Sequence, residues 1–114
     1  FVRRVLDLTG ITRDKKLIPD ELQGSTFSIS NVGVFNVSMG TPSINQPNVG
    51  ILGVGAIKKR PVVIETEVGD TIGIRSMMIL TLGFDHRLID GASGSQFIDA
   101  VRKELENMDL ERLF

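Results

Sequence analysis

The sequence contains no cysteine, no tryptophan and no tyrosine, and it has a single histidine. The absence of cysteine excludes disulfide bonds, thiolate metal ligands and a cysteine nucleophile. Without cysteine, and with one histidine, a zinc site would need several clustered carboxylates, which the sequence does not contain, so we expect no metal. The formal net charge of -1 and the scarcity of aromatic residues argue against partners such as nucleic acid or an anionic membrane surface.

The sequence also has no apolar run long enough to span a bilayer and no signal-peptide pattern. We therefore expect a cytoplasmic protein of a bacterium or a protein of the mitochondrial matrix. The chain begins with Phe1 instead of methionine, so we expect a piece of a longer polypeptide; the alternative is that only the initiator residue is missing. A length of 114 residues with 41% hydrophobic residues suits one soluble domain.

Apolar periodicity predicts an α/β arrangement of helices and strands. A first helix over 2–11 is weakened by glycine at its middle, and proline and glycine bound one helical turn over 19–24. A long aperiodic loop over 31–48 is of the kind that usually carries function. The basic and proline-containing segment 58–61 predicts a break between strands. The remaining elements are four predicted strands and a final helix, over residues 26–30, 49–57, 62–66, 72–84 and, for the helix, those after Asp90.

The only histidine, His86, lies where the last strand pattern ends and the final helix pattern begins. Histidine changes charge near neutral pH, so a histidine at such a junction is positioned to act as a general base. The alternative is a packed histidine whose ring satisfies backbone groups. Asp90 is placed to cap the final helix, with Gly91 as its first residue. Asp85 and Arg87 flank the histidine, and we expect them to form an internal ion pair that fixes this loop; the alternative is that they contact the substrate.

Residues 85–91 read D-H-R-L-I-D-G, which resembles the signature of dihydrolipoamide acyltransferases, the core (E2) components of 2-oxo acid dehydrogenase complexes. Chloramphenicol acetyltransferase has a shorter version of this motif. Other segments resemble the same family in the same order, with Ser25 and Gln46 as departures from its usual glycine and proline. These segments cover 17–31, 41–47, 50–55 and 82–87. The resemblance extends along nearly the whole chain and corresponds to the C-terminal half of the catalytic domain.

The resemblance implies an α/β fold of the coenzyme A-dependent acyltransferase (chloramphenicol acetyltransferase-like) type, with a mixed β-sheet and packed helices. Residues 1–114 would form the C-terminal part of a single catalytic domain, and hence a partial domain. The family moves an acyl group between dihydrolipoamide and coenzyme A. Coenzyme A is then a substrate, the lipoyl group is carried on a separate domain absent from this chain, and no metal takes part.

The resemblance also implies roles for three site residues. His86 would be the general base, Ser30 would donate a hydrogen bond to the oxyanion, and Asp90 would hold the histidine loop in shape. The alternative for Ser30 is an ordinary strand serine whose hydroxyl bonds a neighbouring carbonyl. Asn31 would either line the site or begin the following turn. The basic residues at 58–60 form a solvated turn or, as an alternative, contact coenzyme A phosphates.

The family assembles as homotrimers with the active site between subunits, and trimers build larger cubic or icosahedral cores. Leu113 and Phe114 would contact another trimer, and the E1 and E3 components would bind through domains absent here. The alternatives are a non-catalytic scaffold subunit, an inactive fragment, or a chloramphenicol acetyltransferase-like trimer. The acyl group is open between acetyl, succinyl and branched-chain, although 57–61 looks more like succinyl or branched-chain members.

Overall fold

The computed structural model describes residues 2–16, 18–19 and 23–108. Within these ranges the chain forms two α-helices, one short 3₁₀ helix at Val32–Phe35 and five strands. In chain order the labelled elements are α1 Val2–Arg13, β1 Ser28–Asn31, β2 Gly50–Val54, β3 Lys58–Thr66, β4 Gly69–Met77, β5 Leu80–Phe84 and α2 Gly91–Glu106.

Three strands form the central sheet in the order β1-β2-β5. β1 is parallel to β2, whereas β5 is antiparallel to it, so the sheet is mixed as predicted. The middle strand β2 carries the apolar run that predicted a buried strand, and its Ile51 and Leu52 are 6% and 8% exposed. A central strand covered on both faces favours such a continuous apolar sequence. β2 is therefore the buried centre of the sheet, with β1 and β5 on either side of it.

A hairpin of β3 and β4 forms a second sheet of two strands. The predicted break at 58–61 is wrong, because β3 begins at Lys58 and continues through Pro61, which pairs with Ile74. Both strands of a two-stranded sheet are edges, so a proline there does not interrupt an interior hydrogen-bond ladder. The turn of the hairpin leads into Gly69, whose φ of 126° glycine adopts without strain.

The single strand predicted over 72–84 is wrong as well, since it is two strands. β4 ends at Met77 and pairs with β3, whereas β5 begins at Leu80 and pairs with β2. The chain passes from one sheet to the other at this point, where the Gly55 N–H donates to the Ile79 carbonyl at 3.0 Å. The apolar alternation continues through the passage, so the sequence pattern does not reveal it.

The predicted loop over 31–48 is hydrogen-bonded to β5 and to β1, the two neighbours of β2. Asn31 begins its 3₁₀ helix by accepting a hydrogen bond from the Gly33 N–H at 2.9 Å, so of the two readings of Asn31 the turn is confirmed. Thr81 donates its hydroxyl proton to the Gly40 carbonyl at 2.7 Å. The buried Asn48 donates to the Ser28 hydroxyl at 2.7 Å and so ties the end of the loop to β1.

α1 runs without interruption through Thr9 and Gly10, and the hydroxyl of Thr9 donates to the Val5 carbonyl at 2.8 Å. The expected weakening therefore does not break the helix. Three residues of the turn predicted over 19–24 lie outside the described residues, as do Leu113 and Phe114. Neither described helix has the length and apolar content needed to cross a bilayer.

α2 packs against β5, and it begins at Gly91 as predicted. Large apolar side chains elsewhere remain exposed, among them Ile72 at 81% and Leu88 at 72%. The radius of gyration is 17.5 Å, against roughly 13 Å for a compact domain of about 100 residues. These features are those of a partial domain whose apolar faces are left open.

Candidate active site

His86 lies on a tight turn that follows β5. The Asp85 N–H donates to the Val49 carbonyl at 2.9 Å, which extends the ladder one residue beyond Phe84. The N–H groups of Leu88 and Ile89 then both donate to the Asp85 carbonyl at 3.0 Å, and these bonds close the turn. The His86 side chain is exposed at this end of the sheet.

Asp85 and Arg87 fix the turn on both sides of the histidine. The Arg87 guanidinium donates to both carboxylate oxygens of Asp85, at 3.0 Å and 2.8 Å, and its backbone N–H donates to the same carboxylate at 3.0 Å. The side-chain hydrogen bond from Arg87 is the main cause that lowers the pKa of Asp85 below its usual range. The predicted internal ion pair is confirmed, and its two-bond geometry holds Asp85 and Arg87 in one arrangement.

Asp90 caps the N-terminus of α2, as predicted. Its side chain accepts a hydrogen bond from the Ser93 N–H at 2.6 Å. That bond is the largest cause that lowers the pKa of Asp90, the Ser93 hydroxyl adds to it, and the charge of His86 lowers the pKa a little further. The carboxylate of Asp90 is therefore ionised at neutral pH and close enough to His86 for their charges to interact.

A ring contact with Phe84 lies on another side of the histidine. The ring centroids of Phe84 and His86 are 5.6 Å apart, and the two ring planes are tilted by 36°. Residues two apart on a strand point to the same face, and His86 keeps this relation to Phe84 although it lies two residues beyond the end of β5. The sequence analysis did not single out Phe84, although its position two residues before His86 was the available signal.

Ser30 lies at the opposite end of the central sheet. It pairs with Gly53 of β2, which in turn pairs with Thr81 of β5, whereas Phe84 pairs with Gly50 at the other end. A rise of about 3.3 Å per residue and a strand spacing of about 4.8 Å put Ser30 on the order of 15–20 Å from His86. Within one chain, the structure thus places Asp90 at the end of the histidine turn, but it does not bring Ser30 near His86.

An apolar cavity of about 330 Å³ lies beside the histidine turn, between the sheet and α2. The Phe27 and Phe97 rings meet across it with centroids 5.8 Å apart. Sequence reasoning missed this cavity, because it forms between segments far apart in the chain. Its principal side chains are Phe27, Val49, Leu82, Phe84, Ile89 and Phe97. Over the described ranges, no group of three or more metal-ligating side chains is gathered in one place.

Comparison with known proteins identifies the family. The family model for the catalytic domain of 2-oxoacid dehydrogenase acyltransferases matches residues 1–113, and the chain belongs to this family. The resemblance found in the motifs is therefore confirmed, in preference to the shorter resemblance to chloramphenicol acetyltransferase.

Two curated relatives illustrate the range of the family. The chain is 41% identical to the acetyltransferase component of the pyruvate dehydrogenase complex of Corynebacterium glutamicum, over 97% of this chain and 16% of the relative. It is 45% identical to the succinyltransferase component of the 2-oxoglutarate dehydrogenase complex of Bartonella vinsonii, over 90% of this chain and 24% of the relative. The chain thus spans less than a quarter of the length of either relative.

Solved structures agree on the fold. A probable dihydrolipoamide acetyltransferase from Listeria monocytogenes matches with a TM-score of 0.86 and 35% identity, over 96% of this chain and 45% of that one. The cubic core of a pyruvate dehydrogenase multienzyme complex matches with a TM-score of 0.81 and 33% identity, over 92% of this chain and 42% of that one. The predicted fold class, a mixed sheet with packed helices in a partial acyltransferase domain, is confirmed.

A third structure bears on the site. It is the dihydrolipoamide acetyltransferase of Azotobacter vinelandii, with a TM-score of 0.81, 34% identity and coverage of 92% of this chain and 42% of that one. Crystallographic and enzymatic work on that protein addressed the catalytic role of a serine, a histidine and an asparagine, the last two four residues apart. In this chain His86 and Asp90 have the same separation, with aspartate in place of asparagine.

Proposed function

We propose that this chain supplies the catalytic histidine of an acyltransferase that moves an acyl group between dihydrolipoamide and coenzyme A, in the core of a 2-oxo acid dehydrogenase complex. The proposal rests on the position of His86, the only histidine in a chain that belongs to this family. The side chain is exposed on a turn that the Asp85–Arg87 pair and the Asp90 cap hold in place.

The chemistry of thiol exchange explains what the histidine does. A thiol is mostly protonated at neutral pH, and only the thiolate is a good nucleophile. His86 removes the proton from the coenzyme A thiol as its sulfur attacks the acyl thioester of the dihydrolipoamide arm. The tetrahedral intermediate then collapses, the C–S bond to dihydrolipoamide breaks, and the imidazolium returns the proton to the departing sulfur. No protein nucleophile is needed, which agrees with a sequence without cysteine.

Ser30 donates a hydrogen bond to the oxyanion of that intermediate, and it does so from a neighbouring subunit. The separation of Ser30 and His86 within one chain, on the order of 15–20 Å, supports this arrangement, because a single site requires both groups within hydrogen-bond reach of one substrate carbon. The serine named for the Azotobacter vinelandii enzyme supports the role. In a homotrimer with active sites between subunits, Ser30 of one subunit can lie beside His86 of the next, although the two are far apart within one chain. The similarity to a cubic core supports a larger cubic or icosahedral assembly.

Asp90 acts on the reaction through the histidine loop. Its carboxylate is engaged by the Ser93 N–H, and its negative charge lies near His86. This arrangement favours a role in orienting the imidazole and stabilising the imidazolium over direct proton transfer by Asp90.

The same proposal includes the surroundings of the site. Residues 1–114 form the C-terminal part of a single catalytic domain, and the coverage of the solved structures supports this. The lipoyl group and the contacts with the E1 and E3 components belong to domains outside this chain, in a bacterial cytoplasm or a mitochondrial matrix. The acyl group stays open, since acetyl and succinyl transferases are both among the relatives.

The test is acyl transfer to dihydrolipoamide from acetyl-, succinyl- and isobutyryl-coenzyme A, measured with the chain inside its complete catalytic domain. We expect His86→Ala to lower kcat by about 10²–10⁴-fold, the usual contribution of a positioned general base. Leu88→Ala is the matched control, because Leu88 is an exposed neighbour on the same turn. The best acyl donor identifies the complex. Turnover that survives in His86→Ala would refute the role of His86 as the base, whereas no turnover in the parent domain would favour the scaffold alternative.

A further inference from the structure

The side chain of Phe84 lies between the histidine and helix α2. On one side its ring contacts the His86 ring, with centroids 5.6 Å apart. On the other side it rests on the backbone of α2 at the buried Gly94. A Cβ added to Gly94 would lie 2.6, 2.9 and 3.0 Å from three atoms of the Phe84 ring. No ordinary side chain fits in that space, so the ring occupies the volume that any other residue at position 94 would need.

The backbone under this ring is firmly placed. Asp90 caps the helix through the Ser93 N–H, and its carbonyl accepts the first helical bond from the Gly94 N–H at 3.0 Å. Phe84 itself is held in β5 by its pairing with Gly50 of β2. The ring is therefore fixed by two elements of regular structure before it reaches the histidine.

His86 has few other restraints. Over the residues that the structure describes, its imidazole has no hydrogen-bond partner, so the contact with the Phe84 ring is the restraint that orients it. An exposed side chain with no such restraint samples several rotamers on the ps–ns timescale. A catalytic group, in contrast, has to be held within about 0.5 Å of its productive position.

We propose that Phe84 is a positioning residue for His86. Its ring limits the imidazole to one orientation, and the glycine at position 94 is required because it lets that ring lie against α2. The inference rests on the proposed function of His86 and adds to it the group that transmits the rigidity of the sheet and α2 to the base.

The kinetic test uses three substitutions in the complete catalytic domain. Phe84→Leu removes the ring but keeps an apolar side chain, and we expect kcat to fall by about tenfold to a hundredfold, as for a misplaced catalytic group, with KM for coenzyme A within twofold of the parent value. Phe84→Tyr restores the ring and should recover most of the activity. Phe97→Leu is the matched control, because Phe97 lines the same cavity without contacting the histidine. It should lose a similar amount of thermal stability and keep its kcat.

A fourth substitution acts on the same ring from the side of α2. Gly94→Ala leaves Phe84 intact but displaces its ring towards the histidine, and it should also lower kcat more than it changes KM. Equal kcat for Phe84→Leu and Phe97→Leu would overturn the proposal, as would full activity in Gly94→Ala.

A measurement that needs no turnover separates this inference from the proposed function. Diethyl pyrocarbonate modifies the unprotonated imidazole, and mass spectrometry of the peptide that contains His86 gives its rate. We expect the rate to rise at least severalfold in Phe84→Leu, to stay near the parent value in Phe84→Tyr and Phe97→Leu, and to change in Gly94→Ala. Identical rates in Phe84→Leu and the parent would refute the ring contact, whatever the activity. Activity retained in His86→Ala would instead refute the proposed function. The modification rates would then still test whether the Phe84 ring restrains His86.

Discussion

The two ends of the central sheet hold the two predicted reacting groups in different ways. At one end His86 is flanked by an ion pair, a helix cap and an aromatic ring, all from its own chain. At the other end Ser30 lies on the outer strand β1, on the order of 15–20 Å from the histidine. One chain therefore builds the surroundings of His86 on its own, whereas the same chain places no histidine near Ser30. Under the proposed function, this separation requires a site formed between two subunits.

The largest expected effect at the serine end comes from Ser30→Ala. We expect kcat to fall by about 10²–10³-fold with little change in KM, the usual loss for one oxyanion donor. Ser28→Ala is the matched control on the same strand, since the Ser28 hydroxyl accepts from the buried Asn48. It should lower the midpoint of thermal unfolding but not the kcat. Normal turnover in the Ser30→Ala domain would show that Ser30 is not the oxyanion donor.

A smaller effect is expected from Asp90→Ala at the histidine end. Loss of the N-cap should lower the midpoint of thermal unfolding by a few degrees, because the Ser93 N–H loses its acceptor. Asp90→Asn is the control, since its amide oxygen can still accept that bond. The kcat should fall in Asp90→Ala because the histidine turn loosens. Unchanged stability and kcat in both variants would mean that the cap does not support the turn.

The smallest effect is the pH dependence of the same cap. The pKa of Asp90 in the folded chain is below its ordinary value of 3.8, so its ionised form stabilises the fold. That contribution is complete above 3.8 and is lost as the pH falls through the lowered pKa. The stability difference between the parent and Asp90→Asn should thus be constant near neutral pH and shrink in acid. Urea unfolding at a series of pH values measures it. A difference that grows in acid would contradict the lowered pKa.

Much of this comparison was predictable from the sequence, because local patterns determine it. The apolar run at 49–57 indicated the central strand, and Asp90 before an amphipathic pattern indicated the cap and start of α2. The flanking charges of His86 indicated the ion pair. Each of these depends on residues close together in the chain.

The remaining features depend on which segments pair. The passage from β4 to β5 was missed because both strands share one apolar alternation, and the choice of partner strand ends one and begins the other. The strand through Pro61 was missed because proline is unfavourable only where a strand has neighbours on both sides. The contact of Phe84 with Gly94 and His86 was missed because it joins a strand, a helix and a turn. The distance between Ser30 and His86 likewise required the strand register.

The most direct test of a site shared between subunits is complementation. We expect His86→Ala and Ser30→Ala domains to be nearly inactive by themselves. The two are unfolded together, refolded as an equal mixture and assayed for acyl transfer. If the two groups come from neighbouring subunits, each of them is intact in about half of the sites of an equal mixture. About a quarter of all sites then have both an intact His86 and an intact Ser30, and turnover returns to about a quarter of the parent value. If mixing restores no turnover while the refolded parent recovers its activity, the two groups act within one chain or not together, and the account of the two ends is wrong.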